Sequence, residues 1–455
     1  MAHSDGNDRK GGEGSQIPRR EPPEGTGSLE VAIAGERNPI RRFLKILGPG
    51  FISGAADDDP SGIGTYATAG ASLGFATLWT ALLTFPLMAA VQFVCAKIGM
   101  VTGKGLAGVL RQHYPRWLLY AAVVALFVAN TINVGADLAA VAAAINLLVP
   151  SMPIAPLVLP IALGILVLQV WGSYRLIARI FKWLTLALFA YIGSALFARP
   201  HWGEVLSATF IPTRFDQTFL LTLVAILGTT ISPYLFFWQA TQEVEEEESM
   251  GRTQLWRRKG ATDTELRYAA LDVNTGMFFS ILVMYFIMLA TAATLHQAGK
   301  TDINSATDAA EALRPLAGNL SSILLAVGLI GSGVLAIPIL SGSAAYALSE
   351  AFGWRYGLDR NPGRAKQFYA VIVAATLVGV AIDYLGINPI DALFFTAVIN
   401  GFVAPPLLVL IMLVANNGKI MGKRTNSSLT NVLGWGAAAV MFLAAGVLVL
   451  SSIRS

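Results

Sequence analysis

From Phe43 onward the chain alternates between apolar stretches of about 20 residues and short polar segments, the length needed to cross a hydrocarbon core of roughly 30 Å. This pattern predicts eleven membrane spans at 45–74, 75–99, 117–149, 154–172, 176–198, 216–242, 269–298, 318–352, 366–385, 389–416 and 430–453. Residues 1–42 lack such a run and are rich in Gly, Pro, Glu, Arg and Ser, so they read as a disordered cytoplasmic tail without a signal peptide. Prolines at Pro86 and Pro338, the latter after Gly331-Ser332-Gly333, suggest kinks in spans two and eight.

Composition supports a membrane protein: 55% of residues are hydrophobic and only 13% charged, against about 25% in soluble domains. A soluble enzyme is excluded. The net charge of +4 is no nucleic-acid footprint, because the basic residues fall in clusters between apolar runs. With the amino terminus inside, 27 of the 32 lysines and arginines are cytoplasmic, as the positive-inside rule requires. Eleven spans then place the carboxyl terminus outside. The one cysteine, Cys95, sits in an apolar run, so neither a disulfide framework nor a thiolate metal site is expected. No phosphate loop, HExxH or GxSxG motif stands in a plausible context, and neither enzymatic activity nor a bound cofactor is expected.

Two spans break the rules of a membrane helix. The first holds Asp57-Asp58-Asp59-Pro60-Ser61-Gly62, with three carboxylates near mid-membrane. Each ionised group there costs at least a few kcal/mol unless it meets a cavity, a cation or a partner. Proline removes a backbone donor and disfavours helix at the residue before it, which frees carbonyls at that depth. The sixth span holds Gly228-Thr229-Thr230-Ile231-Ser232-Pro233-Tyr234, again with proline and small polar residues at its middle. Breaks in spans one and six predict an all-α integral membrane protein built as an inverted repeat of five plus five spans. Repeat one is 43–198, broken at 59–62; repeat two is 215–416, broken at 229–233; residues 417–455 carry span eleven. Such discontinuous helices meet at the midplane, where secondary transporters bind ions and substrate.

These residues resemble the Nramp superfamily of divalent-metal transporters over nearly the whole of spans one to ten. In that family span one breaks at Asp-Pro-Gly-Asn and span six at Met-Pro-His, and the Asp, Asn and Met bind a transition metal. The resemblance implies a leucine-transporter-type fold and places Asp59 at the metal-binding aspartate, Gly62 at the asparagine and Ser232 at the methionine. Loss of the thioether removes a ligand that selects transition metals. A site of carboxylate, hydroxyls and carbonyls suits magnesium, which keeps part of its water shell. The pattern is similar to the Nramp-related magnesium transporters, with Mg²⁺ as the expected cargo and Mn²⁺ as a second. Asp59, Ser232, Thr230, Gly62 and Thr229 are the expected metal positions, with the carbonyl of Thr230 a candidate ligand; Asp57, Asp58, Tyr234, Gln239, Thr396 and Asn400 are expected to line the site.

The resemblance also bears on proton coupling. The family's two span-six histidines correspond to Tyr234 and Gln239, and its Glu, Asp, Glu series in span three to Asn130, Asp137 and Ala140, so only Asp137 persists. The expected activity is import of divalent cations by alternating access, without proton coupling, in the plasma membrane. The expected partners are the metal ion and the bilayer, with no nucleic acid, and no partner protein is predictable. Bland alternatives stand beside this reading: Asp59 as a helix cap, the hydroxyls of Thr229, Thr230 and Ser232 bonding back to their own helix, and Asn400 as an interhelical bond. Asp272 and Asp383 read as interfacial or gating acids, and the run Glu243–Glu248 as a solvated helix end or an acidic vestibule. The rival functions are a proton-coupled manganese or iron importer of the main Nramp branch, a cation-coupled amino-acid symporter of the same fold, and a sensor without flux.

Overall fold

In the computed structural model, residues 38–172, 185–358 and 360–454 are described. They form helices and no strand. In chain order the principal helices are α1 (Pro49–Asp57), α2 (Pro60–Leu73), α3 (Trp79–Thr102), α4 (Leu106–His113), α5 (Arg116–Leu148), α6 (Ile154–Trp171), α7 (Ala190–Phe197), α8 (Gln217–Thr230), α9 (Pro233–Ser249), α10 (Asp263–Thr291), α11 (Ser321–Phe352), α12 (Lys366–Asp383), α13 (Pro389–Ala415) and α14 (Ser428–Arg454).

Among the described residues, nine helical stretches are long and apolar enough to cross a membrane. The other two of the eleven expected spans differ for separate reasons. Span one is divided into α1 and α2, each too short alone. Span five lies partly outside the described residues; its described end is a 3₁₀ segment followed by α7. Most of the expected tail, residues 1–37, is also outside them.

Helix ends run past the apolar stretches. Span six continues through its glutamates to Ser249. Span seven starts at Asp263, where Thr262 and Glu265 form a reciprocal capping box that satisfies free N–H groups. The helices also continue through Pro86 in α3, Pro338 in α11 and Pro405-Pro406 in α13. Neighbouring helices and side-chain hydroxyls make such prolines tolerable in membrane spans.

The broken spans sit at the centre. Helix α1 lies so close to α10 that a Cβ at Gly54 would fall 2.3 Å from the Gly276 carbonyl oxygen, and small residues at both positions permit that approach. Asp272 of α10 clasps the start of α1: its carboxylate accepts the N–H groups of Gly48 (2.8 Å), Gly50 (2.7 Å) and Phe51 (3.0 Å). Those are among the N–H groups a helix start leaves free, and the helix dipole favours an anion there. Asp272 is therefore an anchor for α1, not a gating acid at the surface.

Candidate metal site at the helix breaks

Both breaks use one backbone device. In span one, Asp58 closes α1 with φ −80° and ψ 49°, and Asp59 is extended at φ −69° and ψ 167° before Pro60 opens α2. In span six, Ile231 (φ −106°, ψ 63°) closes α8, and Ser232 (φ −79°, ψ 133°) is extended before Pro233 opens α9. Proline pushes its predecessor into extended backbone and is itself suited to a first helical position. The first break therefore occupies 58–59 rather than the expected 59–62, since Pro60, Ser61 and Gly62 form the first turn of α2.

Around Asp59 the groups come from three elements. Its Oδ1 accepts the Gly62 N–H at 2.7 Å, and its Oδ2 lies 3.3 Å from both Asn133 Nδ2 on α5 and the Tyr234 hydroxyl on α9. The Tyr234 hydroxyl also reaches the Ala56 carbonyl at 2.9 Å. Asp59 thus caps α2 and also presents a buried carboxylate to the break. Gly62 contributes its N–H; a Cβ there would meet the Asp57 carbonyl at 3.1 Å and the Tyr66 ring at 3.3 Å.

The second break behaves differently. The Ser232 hydroxyl donates back to the Gly228 carbonyl at 3.1 Å and to the Thr229 carbonyl, the familiar bond of a hydroxyl to its own helix. Thr230 Oγ1 pairs with the Tyr66 hydroxyl at 3.2 Å and donates to Met284 Sδ at 3.5 Å. Thr396 reaches the break from α13: its hydroxyl lies 3.2 Å from Ser61 Oγ, and both donate to the Leu393 carbonyl. Asn400, one turn further along α13, is buried.

Other expected residues lie elsewhere or work differently. Gln239 bonds Ser53 Oγ (2.6 Å) and Glu243 (2.8 Å), two turns beyond Ser232 on α9. Asn130 ties α5 to α11 through the Leu340 carbonyl (2.9 Å) and Ser343 Oγ (2.7 Å). Ala140 lines a small apolar cavity with Ile63, Leu329 and Leu393. Asp137 is fully buried and faces the backbone N–H of Ser61. Asp57 and Asp58 are buried against Ser280 of α10. Among the described residues, no three His, Cys, Asp or Glu side chains converge as a metal cage, and the other polar groups at the breaks are hydroxyls, amides and carbonyls.

The glutamate run is no solvated helix end. Glu243 and Glu247 are buried, Glu245 accepts from the Tyr346 hydroxyl at 2.6 Å, and Glu248 pairs with Arg258 at 2.7 Å and Arg360 at 3.4 Å. Arg252 bridges Glu247 and Glu265. The run is a knot that gathers the segments following spans six and eight.

Residues 50–451 match the Nramp family, described as natural resistance-associated macrophage protein-like. The chain belongs to the Nramp family. Among the relatives of this Nramp chain are proteins named divalent metal cation transporter MntH. The one from Caldanaerobacter subterraneus subsp. tengcongensis is 24% identical, over 91% of this chain and 95% of the relative. The one from Vibrio campbellii is 28% identical, over 87% and 90%. The fold is that of a solved Eremococcus coleocola manganese transporter (TM-score 0.68, 19% identity, 90% of this chain and 87% of that one). Mhp1, a nucleobase-cation-symport-1 family transporter, shares it more distantly (TM-score 0.55, 12% identity, 89% and 93%).

Within this Nramp chain, four residues not expected from the sequence face the breaks: Asn133, Ser280, Tyr66 and Met284. Asn133 had a signal, as an amide in an apolar span one turn before Asp137. Ser280, Tyr66 and Met284 are ordinary residues of membrane helices, and only tertiary contact distinguishes them.

Proposed function

We propose that this multi-pass plasma-membrane protein is a secondary transporter, not an enzyme, that imports divalent metal cations by alternating access through a site at its two breaks. Mg²⁺ is the preferred cargo and Mn²⁺ a second. The observation that carries the reading is the Asp59 carboxylate, buried in a break and faced by an amide, a phenol and backbone rather than by a basic side chain. The relatives' names point to divalent metals. The donors around Asp59 are hard oxygens and an amide, which favour a partly hydrated hard cation. One soft atom lies nearby, Met284 Sδ beside Thr230, and it supports Mn²⁺ as the second cargo.

Flux without proton coupling is part of the proposal. Of the described histidines, His113 and His201 are exposed, and His296 bonds the Ala71 carbonyl near the end of span seven. None stands at the breaks to titrate near neutrality. A membrane potential of 100 mV supplies about 4.6 kcal/mol to an entering divalent ion, enough to drive uptake. Eleven spans, with the amino terminus inside and the carboxyl terminus outside, complete the reading and rest on the distribution of lysine and arginine.

The test is flux into proteoliposomes offered Mg²⁺, Mn²⁺ or Ca²⁺ separately, with internal pH recorded. Mg²⁺ uptake without acidification is expected. Mn²⁺-only uptake with acidification would overturn both the cargo and the uncoupled cycle.

A further inference from the structure

The three consecutive aspartates of the first break do not share one environment. Asp59 turns to α5 and α9, whereas Asp57 and Asp58 turn to α10, where the Ser280 hydroxyl lies 2.6 Å from Asp57 Oδ2 and 3.4 Å from Asp58 Oδ1. A hydroxyl has one proton, and the shorter contact takes it. Asp58 Oδ1 then faces the lone pairs of Ser280, and no described residue donates to Asp57 Oδ1, whose side chain is fully buried.

Charge deepens the shortage. No described lysine or arginine forms an ion pair with Asp57, Asp58, Asp59 or Asp137. One divalent ion at Asp59 offsets only half of the charge that these four carboxylates carry when ionised. Buried carboxylates take a partner, a cation or a proton.

We propose that Asp57, Asp58 and Ser280 form a second cation position, on the α10 side of the first break, that takes a hard divalent ion of the same class as the cargo. The proposal rests on the divalent-cation reading above and adds a second ion to it. Two carboxylates and a hydroxyl suit a Mg²⁺ or Mn²⁺ that keeps several waters. Because Asp58 and Asp59 are adjacent on one non-helical stretch of chain, an ion held on the α10 side waits beside the Asp59 position, and transfer between them needs no large movement of the backbone.

The experiment is equilibrium dialysis of the full chain in lipid nanodiscs with Mn²⁺ as the probe, counting ions per chain. Two Mn²⁺ are expected for the unaltered protein, one for the Asp57→Asn/Asp58→Asn double variant and one for Asp59→Ala. Ser280→Ala, which leaves α10 intact, should weaken one of the two affinities about tenfold. A single Mn²⁺ in the unaltered protein, kept by the double variant and lost in Asp59→Ala, overturns the second position and leaves the Asp59 reading standing. A single Mn²⁺ kept by Asp59→Ala and lost in the double variant overturns the Asp59 reading and, with it, the two-ion arrangement.

Discussion

The two breaks share a backbone and differ in where their side chains go. Asp59-Pro60 and Ser232-Pro233 repeat the same sequence of a closing residue, an extended residue and a proline. The first break sends its polar groups outward, to Ser280 of α10, Asn133 of α5 and the Leu393 carbonyl of α13. The second keeps its serine for its own carbonyls. One device opens two helices side by side, and their side chains differ: the first break supplies charge, the second mostly backbone.

The largest test of that division is Asp59→Ala, expected to reduce divalent flux in proteoliposomes to background. Loss of the α2 cap costs about 1 kcal/mol as well, so thermal unfolding of the same sample should show a modest shift with the fold retained; full flux would end the assignment. Next is Gly54→Ala, which forces a methyl into the Gly276 backbone and should destabilise the protein by about 1–3 kcal/mol, read from its melting in detergent. An unchanged melting temperature would mean that α1 is not packed on α10 as described.

Ser232→Met sharpens the comparison by giving the second break a ligand of its own. The Mg²⁺ to Mn²⁺ flux ratio should fall about tenfold, and an unchanged ratio would count against selectivity by donor softness. Asn133→Ala removes one neutral donor from Asp59, worth about 1 kcal/mol, and should change Mg²⁺ affinity several-fold in binding titrations. The smallest effect belongs to Ser232→Ala: because that hydroxyl bonds back to α8, Mg²⁺ flux should stay within about twofold, and a large loss would place the hydroxyl on the ion.

Much of the fold was legible because its determinants are local. Apolar run length marks spans, and a proline after Asp59 or Ser232 marks a break, whatever packs around it. Asn133 and Ser280 were missed because their partners lie 74 and 223 residues away in the chain, and a single amide or hydroxyl in an apolar helix looks like any other. The glutamate run misled for a related reason: its arginine partners sit in connecting segments that only the folded chain brings alongside. Gln239 was carried to the break by its family position, yet a helix turns through two full rotations between Ser232 and Gln239.

The clasp of Asp272 on the first residues of α1 has a mechanical meaning. With three amides held by one carboxylate and Gly54 seated on Gly276, α1 and α10 behave as one stiff link, and the articulation nearest to it is the two-residue stretch Asp58-Asp59. Any tilt of span seven is delivered to that joint as torque, so the residues proposed to hold the ion are also the bearing on which the link swings.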